Sequence, residues 1–203
     1  MITKIEDFKG RFNIALSEDI EPNSMGNHDE LQLFIEDEEP SCLVTVLGYS
    51  LYQELLPELK KKPFEPDASL TAADKWVDLV NGKDNYQGLK KLLVPYIYFQ
   101  FLANDTAHHT GVGMVQERAK GASNVSARKK AVVAWNEYYK YTVGEDISSN
   151  IFGKNTIKGP VIGIIYSNSE DKYWSLYNWL KQNIDVYTNW SPSSVKNITM
   201  YGI

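Results

Sequence analysis

One cysteine, three histidines and no long apolar run set the first limits on this 203-residue chain. With Cys42 alone no intrachain disulfide can form, and nothing marks an oxidising compartment. His28 stands apart from His108-His109. Adjacent residues do not share a helix face, and no further Cys or His follows at ligand spacing, so no metal site is expected. No apolar stretch reaches the length of a membrane span. The opening MITKIEDFKGRF lacks the apolar centre of a signal peptide. A cytoplasmic site of synthesis follows as the expectation, with the sequons at Asn124, Asn189 and Asn197 unused.

Charge of one sign is also scarce. The formal net charge is −5, which gives no domain-wide basic field for gripping nucleic acid. Lys60-Lys61-Lys62, Lys90-Lys91 and Arg128-Lys129-Lys130 are short and read as solvated helix faces. Catalytic signatures are missing too. There is no Gly-x-Ser-x-Gly elbow, and Cys42 lies in an apolar helical run, where it serves as a small hydrophobe. Gly111-Val112-Gly113 trails a helix instead of opening one after a strand, and no Gly-Lys-Ser/Thr follows, so it is no phosphate loop. The acidic run Glu36-Asp37-Glu38-Glu39 reads as surface. The expectation is a protein that is not an enzyme and carries no cofactor.

What is present is the apolar and charged balance of an ordinary folded chain, at 43% and 23%, which argues against disorder. Aromatics are abundant, with five Trp, thirteen Tyr and seven Phe. Such rings fill cores and are enriched where proteins meet. From Leu89 to Leu102 a helix would be apolar on every side and needs neighbours all round, either in its own fold or from another copy.

Around that central helix, helical spacing of Ile5, Phe8, Phe12 and Leu16 predicts a first helix over residues 3–17, capped by Thr3 and Glu6. A short helix is expected over 28–36. Leu43, Leu47, Leu51, Leu55 and Leu59 repeat every four residues, with Pro40 at a first helical position. Gly48 and Pro57 interrupt that repeat, so two helices should be jointed near Gly48, with a bend or frayed end near Pro57. Residues 71–80 form a helix closed by Asn81-Gly82, with Trp76, Val77 and Val80 inward. Pro95 should kink the central helix, and residues 111–118 follow as an extended stretch. A long helix from Ala127 to Val143 carries Ala131, Ala134, Trp135, Tyr138 and Thr142 on one face and ends at Gly144. Later, residues 161–166 are β-prone. A helix over 171–184 has Tyr173, Tyr177, Leu180 and Ile184 on one stripe. The tail from Asp185 carries Tyr187, Trp190 and Tyr201, which suggests docking onto its own body or onto a partner. The fold class is therefore mainly α: a helical bundle with an extended arm and a short β-containing C-terminal extension. Its division is 1–145 for the bundle and 146–203 for the extension.

Three segments together resemble the head–tail connector (adaptor) proteins of tailed bacteriophages, closest to those of crAss-like phages and others that infect Bacteroidetes. EEPSCLVTVLGYSLYQELLPEL, residues 38–59, is similar to a family helix that ends in a Leu-Gly turn before a Leu-Tyr-x-x-Leu helix. PYIYFQFLAND, residues 95–105, followed by Thr110-Gly111-Val112-Gly113-Met114-Val115, is similar to the family's aromatic helix and its Thr-x-x-Gly-Val-Val segment. Asn124-Val125-Ser126 then enters a helix through Tyr141. The likeness covers residues 1–145.

The resemblance implies a structural virion protein at the head–tail junction. Its copies would form a homo-oligomeric ring, usually of twelve, beneath the portal protein, extending the DNA channel and docking further neck and tail proteins. DNA would pass without sequence-specific binding, a role that mild acidity permits, and no membrane would be involved. A ring subunit needs two different contact surfaces. Thr110, Gly111, Val112, Gly113, Met114 and Val115 are expected at the subunit interface, within an arm over 106–123. Ile162, Ile164, Tyr166, Tyr187, Trp190 and Tyr201 are expected to contact the portal or the tail. The alternatives are a neck stopper or tail-completion protein, whose folds tend to be β-rich, and a helical protein-interaction module.

Overall fold

Helix α4, Lys90–Asp105, is the element against which the others pack. Every residue from Leu92 to Tyr98 is buried, as an all-round apolar helix requires. Leu92, Leu93 and Ile97 are fully withdrawn from water, each stabilising the fold by about 1.5–3 kcal/mol. Helices α1, Asn27–Leu47, and α5, Ala127–Thr142, supply the neighbours. Tyr138 of α5 lies 5.1 Å from Tyr96, and Trp135 lies 4.8 Å from Phe99. The chain is a mainly helical bundle. The computed structural model describes residues 1–14, 27–105, 108–110, 113–115, 127–144, 164–166 and 172–195. Among them, no helix is long and apolar enough to cross a membrane.

The start of the chain departs from the expected first helix. Residues Ile5–Asp7 and Gly10–Phe12 form two separate 3₁₀ turns. Gly10 takes φ +61°, a left-handed conformation that interrupts an α-helix. The backbone ahead of the turns is committed elsewhere. Ile2 N–H and Thr3 N–H donate to the two carboxylate oxygens of Glu39, at 2.9 and 2.7 Å. Lys4 N–H donates to the Asp7 carboxylate at 2.9 Å.

Helix α1 also differs from expectation. It runs as 21 residues straight through Pro40, merging the expected helix over 28–36 with the one expected to begin at Pro40. An interior proline costs about 3 kcal/mol. The inward row Leu31, Ile35, Cys42, Leu43, Val46 and Leu47, nearly all at zero exposure, offsets it.

The joint falls where the sequence places it. Gly48, at φ +82°, separates α1 from α2, Tyr49–Glu58. Pro57 sits one residue before the end of α2. Helix α3, Asp74–Asn81, follows and buries Trp76, Leu79 and Val80. Its first free N–H, on Ala73, is taken by the Glu58 carboxylate at 3.1 Å. Gly82 ends it at φ +92°, and Leu89 N–H returns to Val80 C=O at 3.0 Å, leading into α4.

Strands β1, His108–Thr110, and β2, Gly113–Val115, form an antiparallel hairpin between α4 and α5, with Thr110 opposite Gly113. Strands β3, Ile164–Tyr166, and β4, Lys172–Trp174, form a second one. Trp174 N–H donates to Asn85 C=O at 2.8 Å, tying β4 to the loop before α4. Helix α6, Leu176–Gln182, starts at Ser175, whose Oγ accepts from Asn178 N–H and donates to Val143 C=O at the end of α5. That cap sets the helical phase, and the buried face is Leu176, Trp179 and Leu180. The helix is shorter than the expected 171–184: Tyr173 lies in β4, Leu180 of the expected stripe is buried, and Ile184, 43% exposed, lies beyond the helix end.

The core ignores the expected boundary after residue 145. Leu176, Trp179, Leu180 and Tyr187 belong to the same buried cluster as Leu47, Trp76 and Leu93. Tyr86 stacks on Trp179 at 4.7 Å, and Trp179 meets Tyr187 at 5.3 Å.

Candidate functional site

A concavity of about 580 Å³ lies where the N-terminal turns meet the start of α4. Phe12, Phe64, Val80, Val94 and Pro95 form its apolar lining, and Lys4, Arg11, Lys90 and Lys91 its cationic one. The two carboxylates there are both engaged. Glu137 pairs with Arg11 at 2.9 Å, and Asp7 with Lys90 at 3.1 Å. Each pair ties an N-terminal turn to a helix, α5 or α4, and so holds the chain start against the bundle. No serine, cysteine or histidine lines the cleft.

Two further polar centres are interior. Glu39 is 3% exposed, which corrects its expected surface place. A buried carboxylate is costly unless its oxygens are satisfied, and the amides of Ile2 and Thr3 satisfy them. Nothing in the acidic run marks Glu39 out. Only its place in phase with Ile35, Cys42 and Leu43 on α1 could have signalled an inward position. Cys42 is fully buried beside Tyr138. Desolvation pushes the thiol far above its ordinary range, and the nearby Glu39 and Glu38 charges push it further, while the Tyr138 hydroxyl pulls the other way. Such a thiol stays protonated and is no nucleophile. Burial likewise raises the Tyr138 phenol.

The residues expected at contact surfaces are divided by the structure. Thr110, Gly113, Met114 and Val115 lie on the first hairpin, and Ile164 and Tyr166 on β3. Gly111, Val112, Ile162 and Tyr201 lie outside the described residues. Tyr187 corrects its expected role. It is 2% exposed, packed 6.1 Å from Trp76, with its hydroxyl donating to Lys75 C=O at 2.5 Å. Trp190 is half-buried, and its indole N–H donates to Val46 C=O at 3.0 Å. Both rings dock on the protein's own body, because an indole or phenol that is both apolar and hydrogen-bonding finds both partners there.

The tail carrying Trp190 forms a strap that the sequence did not disclose. Ser191 N–H donates to Leu47 C=O at 3.2 Å, and Ser193 N–H to Thr45 C=O at 2.8 Å. With Trp190, three donors reach the last carbonyls of α1, groups that no residue of the helix can satisfy. Tyr177 Oη returns to Ser193 C=O at 3.0 Å.

No group of three or more potential metal ligands gathers among the described residues. A family described as being of unknown function (DUF6712) matches residues 43–141, just under half of the chain, from the last turns of α1 to the end of α5. Comparison with curated proteins gives no match, and comparison with solved structures gives none.

Proposed function

We propose that the protein is a structural virion component, a head–tail connector (adaptor) of a tailed phage. Its copies form a ring beneath the portal protein, extend the DNA channel and dock further neck and tail proteins. The protein is made in the host cytoplasm and ends in the virion neck. The observation that carries this reading is the agreement between the connector-like segments and the elements they occupy. Residues 38–59 are two helices jointed at Gly48, and residues 95–105 lie in the central helix. Residues 108–115 carry an extended hairpin, and 127–142 a long helix packed back on the centre.

In this reading the hairpin strands, through Thr110, Gly113, Met114 and Val115, meet the neighbouring copy. An isolated two-stranded hairpin is marginal in water and gains from a further strand or surface. Ile164 and Tyr166 on β3 remain candidates for the portal or tail contact, whereas Tyr187 and Trp190 drop out. DNA passes through the ring without base contacts, and no cofactor takes part.

A β-rich neck stopper fits a mainly helical chain less well. The test is co-purification of the full chain with the portal protein of the same genome, followed by electron microscopy. Rings stacked coaxially on the portal are the expected result; no complex with that portal overturns the reading.

A further inference from the structure

The geometry points to one particular contact between copies: the exposed flank of α5 at Val133 on one subunit against the outward face of α1 at Leu33 on the next. The inference rests on the ring reading above, because a closed head-to-tail ring needs two different faces that fit each other. Helices α1 and α5 both pack on α4 and meet each other inside the bundle at Cys42 and Tyr138, so the faces they turn away from that meeting point are separate surfaces.

On α1, opposite the inward row of Leu31, Ile35, Cys42 and Val46, stands Leu33 at 62% exposure, with Glu36 and Asp37 exposed one turn along. On α5, on the flank next to Ala134, stands Val133 at 48% exposure, with Lys129 and Lys130 exposed one turn before it. A single exposed apolar side chain is ordinary on any surface. Here Leu33 sits beside exposed acids and Val133 beside exposed lysines, while the acid one turn on from Val133, Glu137, is already paired with Arg11. None of the four charged groups has an ion-pair partner among the described residues.

Laid together, Leu33 and Val133 form the apolar centre while Glu36 and Asp37 meet Lys129 and Lys130. Copies of a protein with net charge −5 repel one another as wholes. Local charge complementarity is what can select and register one approach out of many.

The experiment is sedimentation velocity on the full chain at low and at high salt. It compares wild type, Glu36→Lys/Asp37→Lys, Lys129→Glu/Lys130→Glu and an equimolar mixture of the two variants. Wild type should sediment faster as its concentration rises, and more so at low salt. Each variant carries two faces of like sign and should associate roughly a hundredfold more weakly. The mixture should recover, because each variant's reversed face now meets its complement. Unchanged melting temperatures will show that these exposed positions do not affect folding. A wild type that stays monomeric throughout, variants that associate like wild type, or a mixture that fails to recover overturns this contact. If wild type and both variants are captured equally well on the portal, this surface is rejected and the connector reading stands. If the portal fails to capture wild type, that reading falls.

Discussion

Residues 2–3 and the strap at residues 190–193 are both tied to α1, and the two ties use different chemistry. At the start, the tie to α1 is one buried side chain: the Glu39 carboxylate receives the amides of residues 2 and 3. At the end, α1 offers its own terminal carbonyls at 45, 46 and 47, and the strap brings three neutral donors to them. The first tie is charge-assisted, with each bond about twice as strong as a neutral one, but it fails with one residue. The second is spread over three bonds and a close crossing at Gly48. The contrast teaches that the vulnerable point of the first is a functional group, and that of the second is a space.

The sharpest way to break the strap is therefore to fill that space. A Cβ on residue 48 would run into the Ser191 carbonyl and come 2.6 Å from Ser191 Oγ, at a backbone φ of +82° that side chains rarely adopt. Strain at such a φ costs about 1–3 kcal/mol, and displacing the strap forfeits bonds worth about 1 kcal/mol each. Gly48→Val should lower the unfolding free energy by about 4 kcal/mol in urea denaturation. Hydrogen exchange should speed up at Ser191 and Ser193 while the amides of Ile2 and Thr3 stay protected.

Next in size is the start of the chain. Glu39→Ala leaves two donors without a partner and should cost about 3 kcal/mol, with the exchange pattern reversed. Equal loss of protection at both ends would show that the two ties are one cooperative unit and would remove the contrast drawn here.

Smaller effects sharpen it. Tyr187→Phe keeps the ring between Trp76 and Trp179 and removes only the bond to Lys75 C=O. A loss of about 1 kcal/mol is expected; a loss above that would mean the hydroxyl, and not the ring, anchors the segment before the strap.

The smallest effect concerns Glu58, which lies between the two ties. Its carboxyl is held below the usual value of about 4.5, chiefly by the hydrogen bond from Lys61 at 2.6 Å. A lowered folded pKa stabilises the protein above the ordinary carboxylate value, and that stability is lost as pH falls through the folded one. Solvent screening keeps the amount to about 0.5 kcal/mol. Lys61→Met should thus be less stable than wild type at pH 7, and the gap should narrow as pH falls below the ordinary carboxylate value.

Legibility in the sequence followed the range of the interaction responsible. The central helix, the joint at Gly48, the end at Gly82 and the inward face of α5 were readable, since each rests on neighbours three or four positions away or on one glycine's conformation. Pro40 misled, because its local cost is overridden by core contacts of residues well before and after it. Glu39 was hidden within an acidic run: its partners lie 36 and 37 positions away. The strap was hidden for the same reason, its indole bonding a carbonyl 144 positions distant. Of the contact surfaces expected in the tail, Tyr187 and Trp190 carried the right composition for an interface, but composition cannot say whose surface they cover.

By itself the sequence determined the class of fold, the helix that had to be central, and the glycine joint where α1 gives way to α2. Periodicity and backbone stereochemistry act over a single turn, and they need no knowledge of the rest. Only the tertiary structure decided that residues 2–3 and the strap at 190–193 fasten to α1, that a carboxylate lies inside, and that Tyr187 and Trp190 serve the body of the protein. Those outcomes depend on which distant donors reach which acceptors once the core has closed, and no local pattern encodes that geometry.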